Sequence, residues 1–170
     1  MPISLPIKPA LSDVDVLLLR QVAGGGLHPA ISRATGIDED GVGAAIITLL
    51  TKIGTTRRFH AAALGASWGL VRREDAHVRN PTGKTLPPRH MEILAGLVAG
   101  EDAVATAKRL GLTGNTVRTY TQTILTTLGV RSREQAAAVA VLDDLVPLRA
   151  LGDGWPDMKL SEVPQPAGAH

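Results

Sequence analysis

Residues 107–129 read AKRLGLTGNTVRTYTQTILTTLG and predict two short helices joined by a tight turn. Gly111 is suited to end the first helix. Thr113 is suited to cap the second, because its hydroxyl can accept a hydrogen bond from a free backbone amide. Apolar residues then recur at helical spacing from Val117 until Gly129 ends the second helix. This pattern predicts a helix-turn-helix, whose second helix fits the width of the major groove of DNA.

The same pattern occurs earlier in the chain, where residues 11–65 align with residues 86–140 without a gap. About 14 of the 55 aligned positions are identical. Glycines that end helices are among the aligned pairs, for example Gly36 with Gly111. Each copy has the periodicity of four short helices. The predicted fold is therefore all-α, with two tandem four-helix helix-turn-helix domains joined by a short linker.

The predicted domain boundaries follow this repeat and the local composition. We expect a diverged first domain at residues 1–71, a polar linker at 72–85, a second domain at 86–146 and an irregular tail at 147–170 that is rich in glycine and proline. Trp155 is isolated in this tail. It has two interpretations: a plug that packs on a domain, or an anchor for a partner protein.

Composition excludes several classes of protein. Aromatic residues make up only 2% of the 170 residues, which argues against RNA-binding modules built on stacked aromatic side chains. The absence of cysteine excludes disulfide scaffolds and thiolate-bound zinc. The longest apolar run, residues 136–142, is far shorter than a membrane span. Residues 1–8 lack the order of a signal peptide, so we expect a cytoplasmic protein without membrane association.

Nothing in the sequence indicates catalysis or metal binding. The run Gly24-Gly25-Gly26 is not followed by Lys-Ser or Lys-Thr, so it predicts a helix end and not a phosphate-binding loop. The histidines lack the spacing of metal ligands and are interpreted as surface residues: His28, His60, His77, His90 and His170. We therefore expect no enzymatic activity, no cofactor and no metal site.

Positive charge is concentrated in the later part of the chain. Residues 1–65 carry six basic and five acidic side chains, whereas residues 66–142 carry ten basic and six acidic ones. The net charge of +2 is a weak argument by itself. Its distribution, however, predicts that a polyanion binds the later part.

Six separated blocks of the second repeat carry further information: Leu86–Leu94, Gly100, Ala107–Thr113, Thr116–Tyr120, Leu125 and Leu128–Ala136. Together they resemble the DNA-binding domain of the LuxR/FixJ/GerE family of bacterial transcription regulators. The resemblance implies a four-helix domain with its third helix in the major groove. The sequence departs from the family at Tyr120, where histidine is usual, and at Ala105-Thr106, where Glu-Ile is usual. The second departure puts a threonine at an expected core position.

The resemblance also implies which side chains meet DNA. It implies that three residues face base edges: Arg118, Thr119 and Gln122. It implies that others lie near phosphates: Thr113, Thr116, Tyr120 and the turn Arg131-Ser132-Arg133. The side-chain chemistry agrees independently, because arginine can pair with guanine and glutamine with adenine, each pair contributing about 1–3 kcal/mol of discrimination. Lys108, Arg109, Arg131 and Arg133 would add attraction that does not depend on sequence. The alternative is a solvated polar helix face.

The first repeat has different residues at the equivalent positions. Gly43, Ala44 and Ile47 replace the three base-facing residues, and none of them can form a bidentate hydrogen bond with a base. The preceding acidic residues, 38–40, would repel phosphates. We therefore interpret this repeat as a diverged copy that serves dimerisation, partner binding or packing within the chain. DNA reading is the less favoured alternative.

The predicted fourth helix of each repeat presents small apolar residues. These are Ala61, Leu64 and Trp68 in the first repeat, and Ala137 and Val141 in the second. In the family that the second repeat resembles, the fourth helix commonly forms the dimer contact. The two helices could pair within one chain, between two chains as a homodimer, or both. Alternatively, these residues only cover the core of their own domain.

Two functions follow from these observations. The first is a sequence-specific transcription regulator that binds double-stranded DNA and reads the major groove with the third helix of its second domain. The second is an adaptor that binds another regulator or RNA polymerase through its first domain or its tail, with little DNA contact of its own.

Overall fold

A computed structural model describes residues 3–164, and within this range the chain forms eight α-helices and no strand. The helices are α1 (Asp13–Ala23), α2 (His28–Thr35), α3 (Val42–Ile53), α4 (Arg58–Ser67), α5 (Pro88–Val98), α6 (Ala103–Leu110), α7 (Gly114–Leu128) and α8 (Arg133–Leu142). Short 3₁₀ turns occur at Glu39–Gly41, Arg73–Ala76, Leu148–Leu151 and Leu160–Glu162. The predicted all-α class is confirmed. None of the described helices is long and apolar enough to cross a membrane.

Helix boundaries in the first half of the protein (residues 11–76) correspond to those in the second half (residues 86–151). In the register that aligns residue 11 with residue 86, α1 matches α5, α2 matches α6 and α4 matches α8 at both ends. The turn Glu39–Gly41 extends α3 at its start, so that the two elements together match α7. The helix ends also correspond, since left-handed glycines follow α2 and α6, Gly36 at φ 78° and Gly111 at φ 68°.

The buried side chains of both halves form one hydrophobic core, and its centre is the contact between α4 and α8. These two helices contact each other more extensively than any other pair. Residues 61–67 of α4 and residues 135–141 of α8 are all buried. Most of them are alanine, which lets the two helices approach closely. Ion pairs between Arg57 and Asp102 and between Arg73 and Asp143 also join the halves.

The segment predicted as a polar linker, residues 72–85, lies along the second half. Ala76 is buried in its 3₁₀ turn. Further along, the Arg79 amide donates a hydrogen bond to the Gly129 carbonyl at 2.7 Å, and the Thr82 amide donates one to the Thr127 carbonyl at 3.1 Å. Backbone hydrogen bonds therefore attach this segment to the end of α7.

The tail after α8 packs on the body of the protein as far as residue 164. Leu148 and Leu151 are buried. The Trp155 ring lies 6.1 Å from the Trp68 ring, and the Trp68 indole N–H donates a hydrogen bond to the Pro6 carbonyl at 3.1 Å. Trp155 is half-buried in this contact, which fits the interpretation as a plug. Residues 165–170 of the predicted tail, His170 included, lie outside the described residues.

Candidate DNA interface

The rotation of α7 about its axis is set by its buried side. That side consists of Val117, Thr121, Ile124 and Leu125. Thr113 caps the helix, since its hydroxyl accepts a hydrogen bond from the Thr116 amide at 3.1 Å. With one side anchored in the core, the other side faces solvent. The exposed residues there include Arg118, Thr119 and Gln122.

Arg118 is exposed, but a hydrogen bond within α7 orients its guanidinium. Its Nη1 donates a hydrogen bond to the Asn115 side-chain oxygen at 2.9 Å, three residues earlier on α7. A guanidinium has five N–H donors, so this bond leaves enough of them to bind a base edge. Arg118 and Gln122 line a groove of about 490 Å³, which residues 131–134 at the start of α8 also line. Two of the three side chains predicted to read bases therefore line the same groove.

The basic residues predicted to contact phosphate fall into two groups. Lys108 and Arg131 are exposed, and within residues 3–164 neither makes an ion pair. Arg109 instead pairs with Glu101 at 2.8 Å and donates a hydrogen bond to the Glu92 carbonyl at 3.2 Å. The Arg133 guanidinium lies 4.9 Å from the centre of the Phe59 ring. Arg109 and Arg133 are thus already engaged in contacts within the protein.

The remaining residues of the predicted interface line the start of α7. Thr113 and Thr116 bond to each other through their hydroxyls at 2.9 Å. The Tyr120 ring lies 4.7 Å from the ring of His90 on α5, so this tyrosine connects two helices. All three side chains remain at least partly exposed.

The threonine at an expected core position is accommodated by a polar partner. Thr106 is only 3% exposed, and its hydroxyl donates a hydrogen bond to the Glu101 carboxylate at 3.0 Å. The same carboxylate accepts from Arg109. Glu101, just before α6, therefore satisfies a buried hydroxyl and neutralises the guanidinium of Arg109 in the last turn of that helix.

The three positions of α3 that are equivalent to the predicted base-facing residues of α7 carry no side chain that could donate to a base. Ala44 and Ile47 are exposed, Ile47 to 67%, and Gly43 has no side chain. The acidic residues 38–40 before α3 are also exposed.

The small apolar residues of the fourth helices meet inside one chain. Ala61, Leu64, Ala137 and Val141 are buried in the helices α4 and α8, which pack on each other. Trp68 follows α4 and contacts the tail.

Two polar residues at the contact between the halves were missed by the sequence analysis. His60 donates from Nε2 to the Leu151 carbonyl at 3.0 Å, and its Nδ1 accepts from the Thr55 hydroxyl at 2.8 Å. Gln135 donates from its amide nitrogen to the Ala76 carbonyl at 2.8 Å. Burial lowers the pKa of His60, although its bond to the Leu151 carbonyl opposes this effect. The interpretation of His60 as a surface histidine is therefore wrong. The alignment of His60 with Gln135 in the repeat was the signal available.

No three His, Asp or Glu side chains lie close enough together to hold a metal ion in the range 3–164.

The family model for bacterial regulatory proteins of the luxR family (GerE) matches residues 84–140, which contain α5, α6, α7 and most of α8. No curated protein and no solved structure matches the chain. The match does not extend to the first half. Residues 84–140 are therefore a helix-turn-helix domain of the LuxR/GerE type, as their sequence predicts.

Proposed function

We propose that the protein is a sequence-specific transcription regulator that reads the major groove of DNA with α7. The observation that carries the proposal is the pair Arg118 and Gln122. Both are exposed on the second helix of a LuxR-type helix-turn-helix, one turn apart on the same face. Arg118 would pair with a guanine and Gln122 with an adenine, each contributing about 1–3 kcal/mol of discrimination. Thr119, between them, would contact a base through its hydroxyl or its methyl group.

Phosphate contacts would surround this reading surface. The start of α7 offers backbone amides and the hydroxyls of Thr113 and Thr116, and helix starts favour anions. Lys108 and Arg131 carry charges that no acidic side chain of the described region neutralises, so they would release the most counterions. Tyr120 would add a hydroxyl contact. We assign Arg109 and Arg133 a smaller share, because they already contact Glu101 and Phe59.

The first half would be a diverged copy of the same domain. The constant register that relates its helix boundaries to those of the second half supports this origin. Its α3 has no base-reading side chain, so any contact with DNA would be independent of sequence. The proposed division is residues 1–71 and 86–146 for the two domains, 72–85 for the linker and 147–170 for the tail.

Helix-turn-helix regulators of this family are typically non-enzymatic, and we infer the same for this chain. A regulator acts where the chromosome is, so cytoplasmic localisation belongs to the proposal.

An adaptor is the second candidate, and the surface of α3 favours it. Ile47 is a large apolar side chain that is 67% exposed beside the acidic residues 38–40. Such a surface suits a basic protein partner better than it suits DNA.

Titration of the full chain with duplexes selected from a random pool, over a series of salt concentrations, would separate the two candidates. We expect Arg118→Ala or Gln122→Ala to lose preference at particular bases, by about five- to a hundredfold. Arg131→Ala should weaken binding to all duplexes about equally and reduce the salt dependence. Arg149→Ala is the control, because it removes an exposed positive charge from the tail, where Arg149 pairs with Asp157. Binding that ignores sequence and is unchanged by Arg118→Ala would favour the adaptor.

A further inference from the structure

The hydrogen bonds between the two halves are reciprocal. His60 on α4 donates to the carbonyl of Leu151 in the second half. Gln135 on α8 donates to the carbonyl of Ala76 in the first half. The two donors occupy equivalent positions of the repeat, and so do the two acceptors. The same bond is therefore made twice, once in each direction across the contact.

Close backbone approaches repeat in the same way. A Cβ atom added to Gly100, in the loop after α5, would lie 3.0 Å from the ring of His60. A Cβ atom added to Gly25, in the loop after α1, would lie 2.8 Å from the Ser132 hydroxyl and 3.3 Å from the Gln135 side chain. Each loop thus lies against the start of the fourth helix of the opposite half.

Contacts between whole helices and turns of the two halves are reciprocal in the same way. α1 contacts α8, and α5 contacts α4. The turn Arg73–Ala76 contacts α8, and the turn Leu148–Leu151 contacts α4. When patch i meets patch j and patch j meets patch i, the contact is isologous, which is the signature of a two-fold axis.

We propose that the chain contains an internal two-fold pairing of its own halves, and that it binds DNA as a single chain at a site with one readable half. The inference rests on the proposed function. Two identical chains related by a two-fold axis read two equal half-sites in opposite orientations. Here the axis relates α7 to α3, and only α7 carries base-reading side chains. The DNA on the side of α3 is contacted, but its bases are not recognised. The recognised sequence is therefore not a palindrome.

Burial explains why a second chain is not required. Residues 136–138 of α8 and residues 61–63 of α4 are 0% exposed, because the two helices cover each other. A second copy of the chain could use these surfaces only by opening the core.

A variant can test the internal axis directly by giving α3 the residues of α7. The substitutions are Asp38→Thr, Glu39→Gly, Asp40→Asn, Gly43→Arg, Ala44→Thr and Ile47→Gln. They remove the three acidic side chains and reproduce the residues of the second half at the equivalent positions, which are Thr113, Gly114, Asn115, Arg118, Thr119 and Gln122. The surface accepts them, because Ala44 and Ile47 are exposed. A Cβ atom at Gly43 would lie 3.7 Å from its nearest neighbour, an ordinary contact.

Selection of duplexes from a random pool, followed by sedimentation of the complexes, gives both the sequence and the stoichiometry. For the natural chain we expect a single half-site without an inverted copy, and one chain per duplex. The grafted variant should select an inverted repeat of the same half-site, still with one chain. It should bind that duplex about tenfold or more tightly than a duplex with one half-site. The control Thr51→Arg adds a charge to α3 at a non-equivalent position and should strengthen all duplexes alike.

The outcomes separate this inference from the proposed function. A palindrome bound by two natural chains would overturn the internal pairing and leave sequence-specific binding intact. A folded graft that still selects one half-site would show that α3 does not face the duplex, and would also overturn it. Binding by the natural chain that lacks any sequence preference would refute the proposed function itself. If the grafted variant does not fold, the number of natural chains bound per duplex still tests the internal pairing: one chain supports it and two chains overturn it.

Discussion

α3, together with the 3₁₀ turn before it, has boundaries that correspond to those of α7, but the exposed surfaces of the two helices differ in chemistry. Both are anchored by buried apolar residues, and both end at a left-handed glycine, Gly54 at φ 92° and Gly129 at φ 75°. At the positions of Arg118 and Gln122, where α7 offers a guanidinium and an amide, α3 has Gly43 and Ile47, which offer no polar side-chain group. The residues that anchor this helix in the core and the residues that are exposed for contact with DNA are therefore different sets. One set can be retained while the other is replaced.

The largest effect on stability is expected at the contact between α4 and α8. Ala62→Leu should lower the free energy of unfolding by about 1–3 kcal/mol, because the extra methyl groups enter a fully packed core. Ala137→Leu, at the equivalent position, should cost a similar amount if the two halves are paired by a two-fold axis. Urea denaturation measures both, with Ala44→Leu on the exposed side of α3 as the control. A large difference between the two core variants would break the equivalence of the halves.

The residue that precedes the third helix should contribute to stability in the second half only. Thr113→Ala removes the hydroxyl that caps α7, and we expect a loss of about 1 kcal/mol of stability. Asp38 is the equivalent residue, but its side chain makes no capping hydrogen bond. Asp38→Ala should therefore change stability little. Thermal denaturation of the two variants checks this difference, and equal losses would contradict it.

A smaller effect is expected on DNA affinity from the second helices. Lys108→Ala should reduce the slope of log affinity against log salt by about one unit, as expected for the loss of one phosphate contact. Arg33→Ala removes the equivalent charge from α2. The internal two-fold pairing places Arg33 at the duplex as well, so the Arg33 variant should also reduce the slope. An unchanged slope would show that only the second half approaches phosphates at this position. Fluorescence anisotropy over a salt series gives both slopes.

The smallest effect, absent at neutral pH, concerns His60. Since burial holds the folded pKa of His60 below its ordinary 6.5, the unfolded chain binds the proton first as the pH falls. Its contribution to stability is complete above pH 6.5 and is lost as the pH falls from 6.5 through the lower folded pKa.

His60→Gln should remove this part of the pH dependence. A glutamine amide can donate to the Leu151 carbonyl and accept from the Thr55 hydroxyl, much as Gln135 both donates and accepts at the equivalent position. Unfolding curves of the variant and of a His28→Gln control, at several pH values below 6.5, test the assignment. An unchanged pH profile in His60→Gln would contradict it.

Local signals in the sequence were sufficient to predict the helices and the surface of α7. Glycines and capping hydroxyls mark helix ends through backbone geometry, and the buried side of α7 follows from its apolar spacing. The exposure of Arg118 and Gln122 was thus foreseeable from the positions of Val117 and Leu125 alone.

Contacts between distant residues could not be predicted in the same way. An alanine-rich helix face suits a partner in the same chain or in another chain, so the packing of α4 on α8 stayed one of several alternatives. The pairing of Arg109 with Glu101 depends on how α5 and α6 meet, which periodicity does not specify. The bond from Arg79 to Gly129 involves only backbone atoms, and side-chain patterns carry no information about it.

Because α4 and α8 belong to one polypeptide chain, their pairing depends on protein concentration differently from the pairing of two separate chains. Association of these helices is unimolecular, so dilution does not separate them. If the two helices belonged to separate chains, the concentration of paired molecules at low expression would fall with the square of the chain concentration. In a single chain, the concentration of paired molecules falls only in proportion to the chain concentration. The paired state therefore persists in a cell that holds very few copies.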